Sequence, residues 1–175
     1  MPSPGGTAGA IVEAHERPLP MDNAELARVF DDISLLLEVK RDSPFKIRAY
    51  RTAARAIAAH PVELRDMLGQ GGDLKDIPGI GEAIAKKTTE LLTTGKLEFF
   101  EKLKQSAPAG VLELMQIPGI GPRTAALLAT ELGIASVDEL ADALNSGAVA
   151  RLPGLGEKTA SALREETEAY RRRNA

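Results

Sequence analysis

The sequence predicts an all-α chain, built from tandem helix-hairpin-helix elements in two small helical sub-domains. Three observations carry that expectation. No stretch alternates apolar and polar residues with the period of two that a strand requires. Apolar residues recur instead at three- and four-residue spacing along most of the chain. One pentapeptide (apolar residue, Pro, Gly, apolar residue, Gly) occurs three times, as Ile77-Pro78-Gly79-Ile80-Gly81, Ile117-Pro118-Gly119-Ile120-Gly121 and Leu152-Pro153-Gly154-Leu155-Gly156. Each copy leads into a helical pattern with Ala four residues after its last Gly, at Ala85, Ala125 and Ala160.

Residues 1–21 are rich in Pro, Gly and Ala with little periodicity, and a disordered tail is expected there. Asp22 with Glu25 makes a capping pair for a first helix, whose apolar stripe is Leu26, Val29, Phe30, Ile33, Leu36 and Leu37. Asp42-Ser43-Pro44 is a turn, and Pro44 suits the first turn of a second helix. On that helix Ile47, Tyr50, Ala54 and Ile57 share one side, while Arg48, Arg51 and Arg55 share a narrow arc on another. Pro61 is read as the start of a short helix through Leu68, stopped by Gly69-Gln70-Gly71-Gly72. The helix opened by the first pentapeptide spans Glu82 to Thr94 with Gly95 as its cap, and Leu97, Phe99, Phe100 and Leu103 form the apolar side of the next.

Ala107-Pro108-Ala109-Gly110 reads as a boundary, dividing the chain into sub-domains at 22–106 and 107–175. Beyond it, Val111 to Met115 is a short apolar helix feeding the second pentapeptide, whose helix runs from Pro122 to about Leu132. Ser136 with Glu139 is a capping box for a helix ending near Ser146-Gly147. The last helix follows the third pentapeptide and reaches about Tyr170, with Arg171-Arg172-Arg173 at its end, where a helix dipole favours positive charge.

Composition narrows the function classes. Without cysteine there is no disulfide framework and no thiolate metal site, and two His make no zinc cluster. No apolar run approaches membrane-spanning length and the first residues lack a signal pattern, so the expected location is cytoplasmic, in association with the nucleoid. The net charge of −3 is unevenly spread. The first helix and its approach are acidic, whereas Lys40, Arg41, Lys46, Arg48, Arg51 and Arg55 face only Asp42 between residues 40 and 55. The distribution, rather than the sum, decides what such a surface attracts.

The pentapeptide has a physical meaning. Pro fixes φ and ends the preceding helix, and two Gly allow positive φ and close approach of the backbone. The first amides of the next helix have no internal partner and point outward at the positive end of its dipole. A phosphate is the natural guest. The copies lack the GxxxxGK[ST] spacing of a nucleotide loop. They read instead as hairpins that grip a nucleic-acid backbone through Gly79, Gly81, Gly119, Gly121, Gly154 and Gly156, with Arg123 and Lys158 as phosphate contacts. The basic arc of Arg48, Arg51 and Arg55 suits phosphate as well. The absence of Trp and the few aromatics argue against a single-strand stacking platform.

The run from Glu38 to Arg55 (EVKRDSPFKIRAYRTAAR), followed by the first pentapeptide and Thr94-Gly95-Lys96-Leu97, resembles the start of family X DNA polymerases, especially the bacterial type. The resemblance covers roughly Asn23 to Arg164. It implies a lyase-type first part that holds the 5′-phosphate side of a DNA gap, and a fingers-like second part whose hairpins grip the backbone. The likeness stops where the family's catalytic palm would begin, so no polymerase activity is expected, and the chain is either a free-standing relative or a piece of a longer protein. The resemblance further implies no required cofactor, a Na⁺ or K⁺ ion on the hairpin carbonyls, gapped or nicked DNA as partner, and repair proteins as further partners.

In several family members a lysine attacks the aldehyde of a 5′-deoxyribose phosphate and forms a Schiff base. The corresponding residue, six after the last Gly of the first hairpin, is Lys87. The helical wheel also places Lys87 beside the buried stripe of Ile84, Thr88 and Leu91 and turns Lys86 toward solvent, with Lys46, Lys75 and Lys96 as the cationic neighbourhood. The resemblance makes Tyr50 the residue that orients this site and Lys46 and Lys75 its 5′-phosphate contacts. Two positions depart from the animal enzymes: Lys86 stands where the family has an acid, and Ala83 where it has a helper lysine. Three readings follow: a DNA-gripping module, a 5′-deoxyribose-phosphate lyase acting through Lys87, and a helical protein–protein adaptor. The third hairpin is also similar to that of endonuclease-III-like glycosylases, but no Asp follows Lys158 to serve their chemistry.

Overall fold

The computed structural model describes residues 21–175. The expected tail lies outside the described residues except for Met21, which packs against the core. Helices α1 (Asn23–Val39), α2 (Pro44–Ala59) and α3 (Leu64–Gly69) come first, then a 3₁₀ turn at Leu74–Asp76. The first hairpin opens α4 (Glu82–Thr94), followed by α5 (Glu98–Ser106) and α6 (Val111–Leu114). The second opens α7 (Pro122–Leu132), which leads to α8 (Val137–Ser146), and the third opens α9 (Glu157–Arg173). No strand occurs among the described residues.

Local chemistry sets most of these limits. The Asp22 carboxylate accepts the Glu25 amide at 2.8 Å and caps α1. At the other end of α1 the Arg41 amide donates to Glu38 O at 3.0 Å and the Asp42 amide to Leu37 O at 2.9 Å, the double bond of a Schellman turn. That turn needs a left-handed residue, and Arg41 supplies it with φ of 56°. An L side chain there costs about 1 kcal/mol relative to glycine.

The buried apolar residues form one cluster that runs from Leu26 to Leu163. Leu26, Phe30 and Ile33 of α1 are fully buried, and α1 packs on α2 and α5 before the 107–110 connection and on α6 and α7 after it. One helix is therefore a wall common to both halves. Gly110, in the connection between them, has φ of 76°, and a Cβ there would stand 1.9 Å from the Ala135 carbonyl oxygen. Only glycine fits, so the connection lies directly against the loop that follows α7.

Several boundaries differ from the sequence reading. The short helix starts at Leu64, not Pro61, because the preceding residues are bound to the start of α1. Asn23 Nδ2 donates to Val62 O at 2.9 Å, the Asn23 amide to Glu63 Oε2 at 2.7 Å, and the Leu64 amide to Asn23 Oδ1 at 2.8 Å. The last helix continues past Tyr170 to Arg173. Tertiary bonds hold its end: Tyr170 Oη donates to Gln116 Oε1 at 3.2 Å, and Arg171 Nε lies 3.3 Å from Asp138. In the capping box of α8, Ser136 Oγ accepts the Glu139 amide, while Glu139 Oε2 reaches back to the Ala135 amide, one residue earlier than the motif expects. No helix among the described residues is long and apolar enough to cross a membrane.

Candidate nucleic-acid interface

The three hairpins share one geometry. In each, Pro and a glycine with positive φ form the corner of a type II turn, with φ of 95° at Gly79, 94° at Gly119 and 85° at Gly154. The turn closes through Ile80 N to Ile77 O at 3.0 Å, Ile120 N to Ile117 O at 3.0 Å, and Leu155 N to Leu152 O at 3.1 Å. The flanking apolar residues are buried as anchors, apart from Leu155, which is half-buried. Gly81, Gly121 and Gly156 then serve as N-caps, and the Ala85, Ala125 and Ala160 amides close the first helical turn onto them at 2.9 Å each. None of the three caps has a side chain to bond the helix start. The outward amides are left to solvent or to an anion. All six glycines are exposed.

The cations around these turns are not equivalent. Among the described residues Arg123 and Lys158 are exposed and have no carboxylate partner. Nearer the first turn three of the candidate cations are paired: Lys46 with Asp42 at 3.6 Å, Lys75 with Asp73 at 3.9 Å, and Arg51 with Glu38. The arc of Arg48, Arg51 and Arg55 is therefore split. Arg51 is held against α1, Arg48 lies over the Phe45 ring at 5.0 Å, and Arg55 stays exposed. Asp42 is held below the usual carboxylate range by the hydrogen bond from the Ser43 amide and then by Lys46. Lys96 is exposed in the turn after α4, where its amide donates to Thr94 Oγ1 at 3.2 Å.

Lys87 borders an open cleft of about 750 Å³ between α4 and α5. Its Nζ sits over the Phe99 ring at 5.0 Å, Phe99 stacks on Tyr50 at 5.8 Å, and Tyr50 stacks on Phe30 at 6.2 Å. Tyr50 is only 8% exposed, and burial raises its hydroxyl pKa. The structure thus brings Lys87 and Tyr50 onto one aromatic stack, separated by Phe99. Lys46, Lys75 and Lys96 do not line this cleft; Glu82, Glu90 and Glu98 do, together with Lys86 and Lys102. Lys86, expected to face away from Lys87, borders the same cleft, with its ammonium 3.9 Å from Glu82.

This geometry has relatives. A helix-hairpin-helix domain model matches residues 21–97, and a model of a SAM-like helix-hairpin-helix tandem matches residues 111–169. The chain is 31% identical over 139 residues to the DNA polymerase/3′-5′ exonuclease PolX of Bacillus subtilis, covering 79% of this chain and 24% of that protein. This is a helix-hairpin-helix protein related to family X DNA polymerases. The chain is also 26% identical over 88 residues to the Holliday junction branch migration complex subunit RuvA of an Acidovorax species, and 31% identical over 91 residues to that of a Polaromonas species. Each of those matches covers 50% of this chain and 46% of the relative. The chain therefore spans about a quarter of the polymerase and about half of each RuvA subunit.

Three residues of this helix-hairpin-helix protein were not singled out as site residues from the sequence. Phe45, 76% exposed, presents its ring beside Arg48 at the start of α2. Phe99, which the sequence places on the apolar side of α5, is 36% exposed and covers Tyr50. Its offset from the Leu97–Phe100–Leu103 spacing was the available sign. Glu82 is the first residue of α4, where its carboxylate would compete with any anion at the helix start.

Proposed function

We propose that the chain is a sequence-non-specific DNA-binding module, gripping gapped or nicked DNA and its 5′-phosphate through the sugar-phosphate backbone. The observation that carries the reading is the threefold recurrence of one turn, each copy presenting an exposed glycine pair and an uncapped helix start. Backbone amides hold phosphate oxygens without reading bases, and Arg123 and Lys158 add charge at the second and third copies. A role in DNA repair rests on the likeness to the polymerase, and repair proteins are partners consistent with it. Nucleotide transfer is not part of this proposal.

A monovalent cation fits the same turns. Among the described residues the Ile80, Ile120 and Leu155 carbonyls accept no backbone hydrogen bond, so hard oxygen ligands are available at each bend. An ion held there would supply positive charge next to the phosphate.

The test is fluorescence anisotropy with gapped, nicked and intact duplexes of unrelated sequence at several salt concentrations. The expected result is equal affinity across sequences and a linear fall of log K with log salt. Absence of affinity even at low salt would sink the reading and favour the adaptor.

A second reading rests on Lys87, whose amine lies over an aromatic ring at the edge of an open cleft. There it would add to the C1′ aldehyde of a 5′-deoxyribose phosphate and release water to form a Schiff base. Borohydride would trap that adduct in the wild type and not in Lys87→Ala. No adduct in either would leave the binding module alone.

A further inference from the structure

The two sub-domains meet along a groove of about 950 Å³. One wall is the end of α1 with its turn, including Glu38 and Arg41; the other is the face of α7 from Pro122 to Glu131, and Pro153 of the third hairpin closes the groove. The second hairpin therefore opens directly into it, and the third borders it.

Four observations say what suits this groove. Arg41 and Arg123 line it from opposite walls, one from each sub-domain. Arg41 occupies the left-handed position of the Schellman turn, where glycine would be more stable, so the chain keeps a guanidinium there against the local backbone preference. The Glu38 carboxylate, which would otherwise oppose Arg41, is bound by Arg51. The remaining acid, Glu131, stands eight residues beyond Arg123 on α7, about 12 Å along the helix and at the far end. Between the arginines the lining is apolar (Val39, Ile47, Leu127). An apolar floor with planar, permanently charged forks on both sides suits a sugar-phosphate chain, with sugars on the floor and phosphates at the guanidinium groups.

We propose that this groove is a phosphate track for the DNA strand leaving the second hairpin, held by Arg41 and Arg123 from opposite walls. The inference rests on the hairpins being backbone grips and extends that reading to a site no hairpin contains. It makes DNA a strap across the two sub-domains, and it gives Arg51 a role other than touching phosphate: it neutralises the Glu38 carboxylate that lines the track.

Arg41→Gly separates charge from folding, because it removes the guanidinium and relieves the backbone. Anisotropy against a gapped duplex over a salt series, with thermal melting of the protein alone, would be measured for the wild type, Arg41→Gly, Arg41→Lys and Arg123→Ala. Arg41→Gly is expected to melt at or above the wild-type temperature, to bind about fivefold more weakly, and to lose about one from the log K against log salt slope. Arg41→Lys is expected to keep the slope. A purely structural Arg41 would raise the melting temperature and leave affinity and slope unchanged, which overturns the track. If Arg123→Ala weakens binding and Arg41→Gly does not, the track falls and the hairpin reading stands. If the wild type shows no salt-linked affinity, both fall. A change in the sedimentation of the free protein on Arg41→Gly, with DNA affinity intact, would assign the groove to a second copy of the chain and overturn the proposal.

Discussion

The first and second hairpins have the same backbone and opposite surroundings. Both close their turns at 3.0 Å and their first helical bonds at 2.9 Å. Past the last glycine they diverge. The first continues Glu82-Ala83 and the second Pro122-Arg123, so one helix start carries a carboxylate and the other an exposed guanidinium. The third, with Glu157-Lys158, is intermediate. Packing differs too. A Cβ on Gly79 would meet Ala56 Cβ at 3.2 Å, one on Gly119 would meet Leu163 Cδ2 at 3.2 Å, and one on Gly154 would meet nothing within 4 Å. The pentapeptide thus fixes where the amides point, while the two residues after it set the charge beside them.

The largest expected effect that would break this comparison is on stability. Gly119→Ala combines positive φ with a tight contact and should cost about 2–3 kcal/mol, whereas Gly154→Ala carries the φ cost alone, about 1 kcal/mol. Urea unfolding of both variants checks this, and equal losses would mean that the contact with Leu163 is irrelevant.

Next comes affinity. Arg123→Ala should weaken DNA binding about tenfold, and Lys158→Ala about threefold because Glu157 already offsets that charge. A reversed order, read by anisotropy at fixed salt, would move the principal grip to the third hairpin. The smallest effect sharpens the contrast most. Glu82→Gln should tighten binding about twofold by removing the carboxylate from the first helix start. No change on that substitution would place the first hairpin away from the DNA.

Much of the fold was legible because local chemistry decides it. Pro and Gly punctuate α4 and α7, and the apolar stripe of α1 could be read residue by residue. What was missed is decided at long range. Pro61 looked like a helix start, but Val62 and Glu63 are bound to Asn23, some 40 positions earlier. The end of α9 is likewise held by Gln116 and Asp138 from other elements. At the candidate site, a helical wheel places Lys87 beside a buried stripe. It cannot show that α5 brings Phe99 to the amine and lines the cleft with Glu98, while the expected lysines stay outside it. Nor does the basic run from Lys40 to Arg55 reveal that Glu38 takes up Arg51.

The aromatic stack gives the molecule an optical reporter. The chain has no Trp and two Tyr, one on either side of the 107–110 connection. Tyr50 lies beneath Phe99 at the edge of the cleft, while Tyr170 is bonded to Gln116 at the end of α9. Near-ultraviolet dichroism of the tyrosines, with Tyr170→Phe to isolate one chromophore, would follow the two halves separately. Anything that lifts Phe99 off Tyr50 would then register without a label.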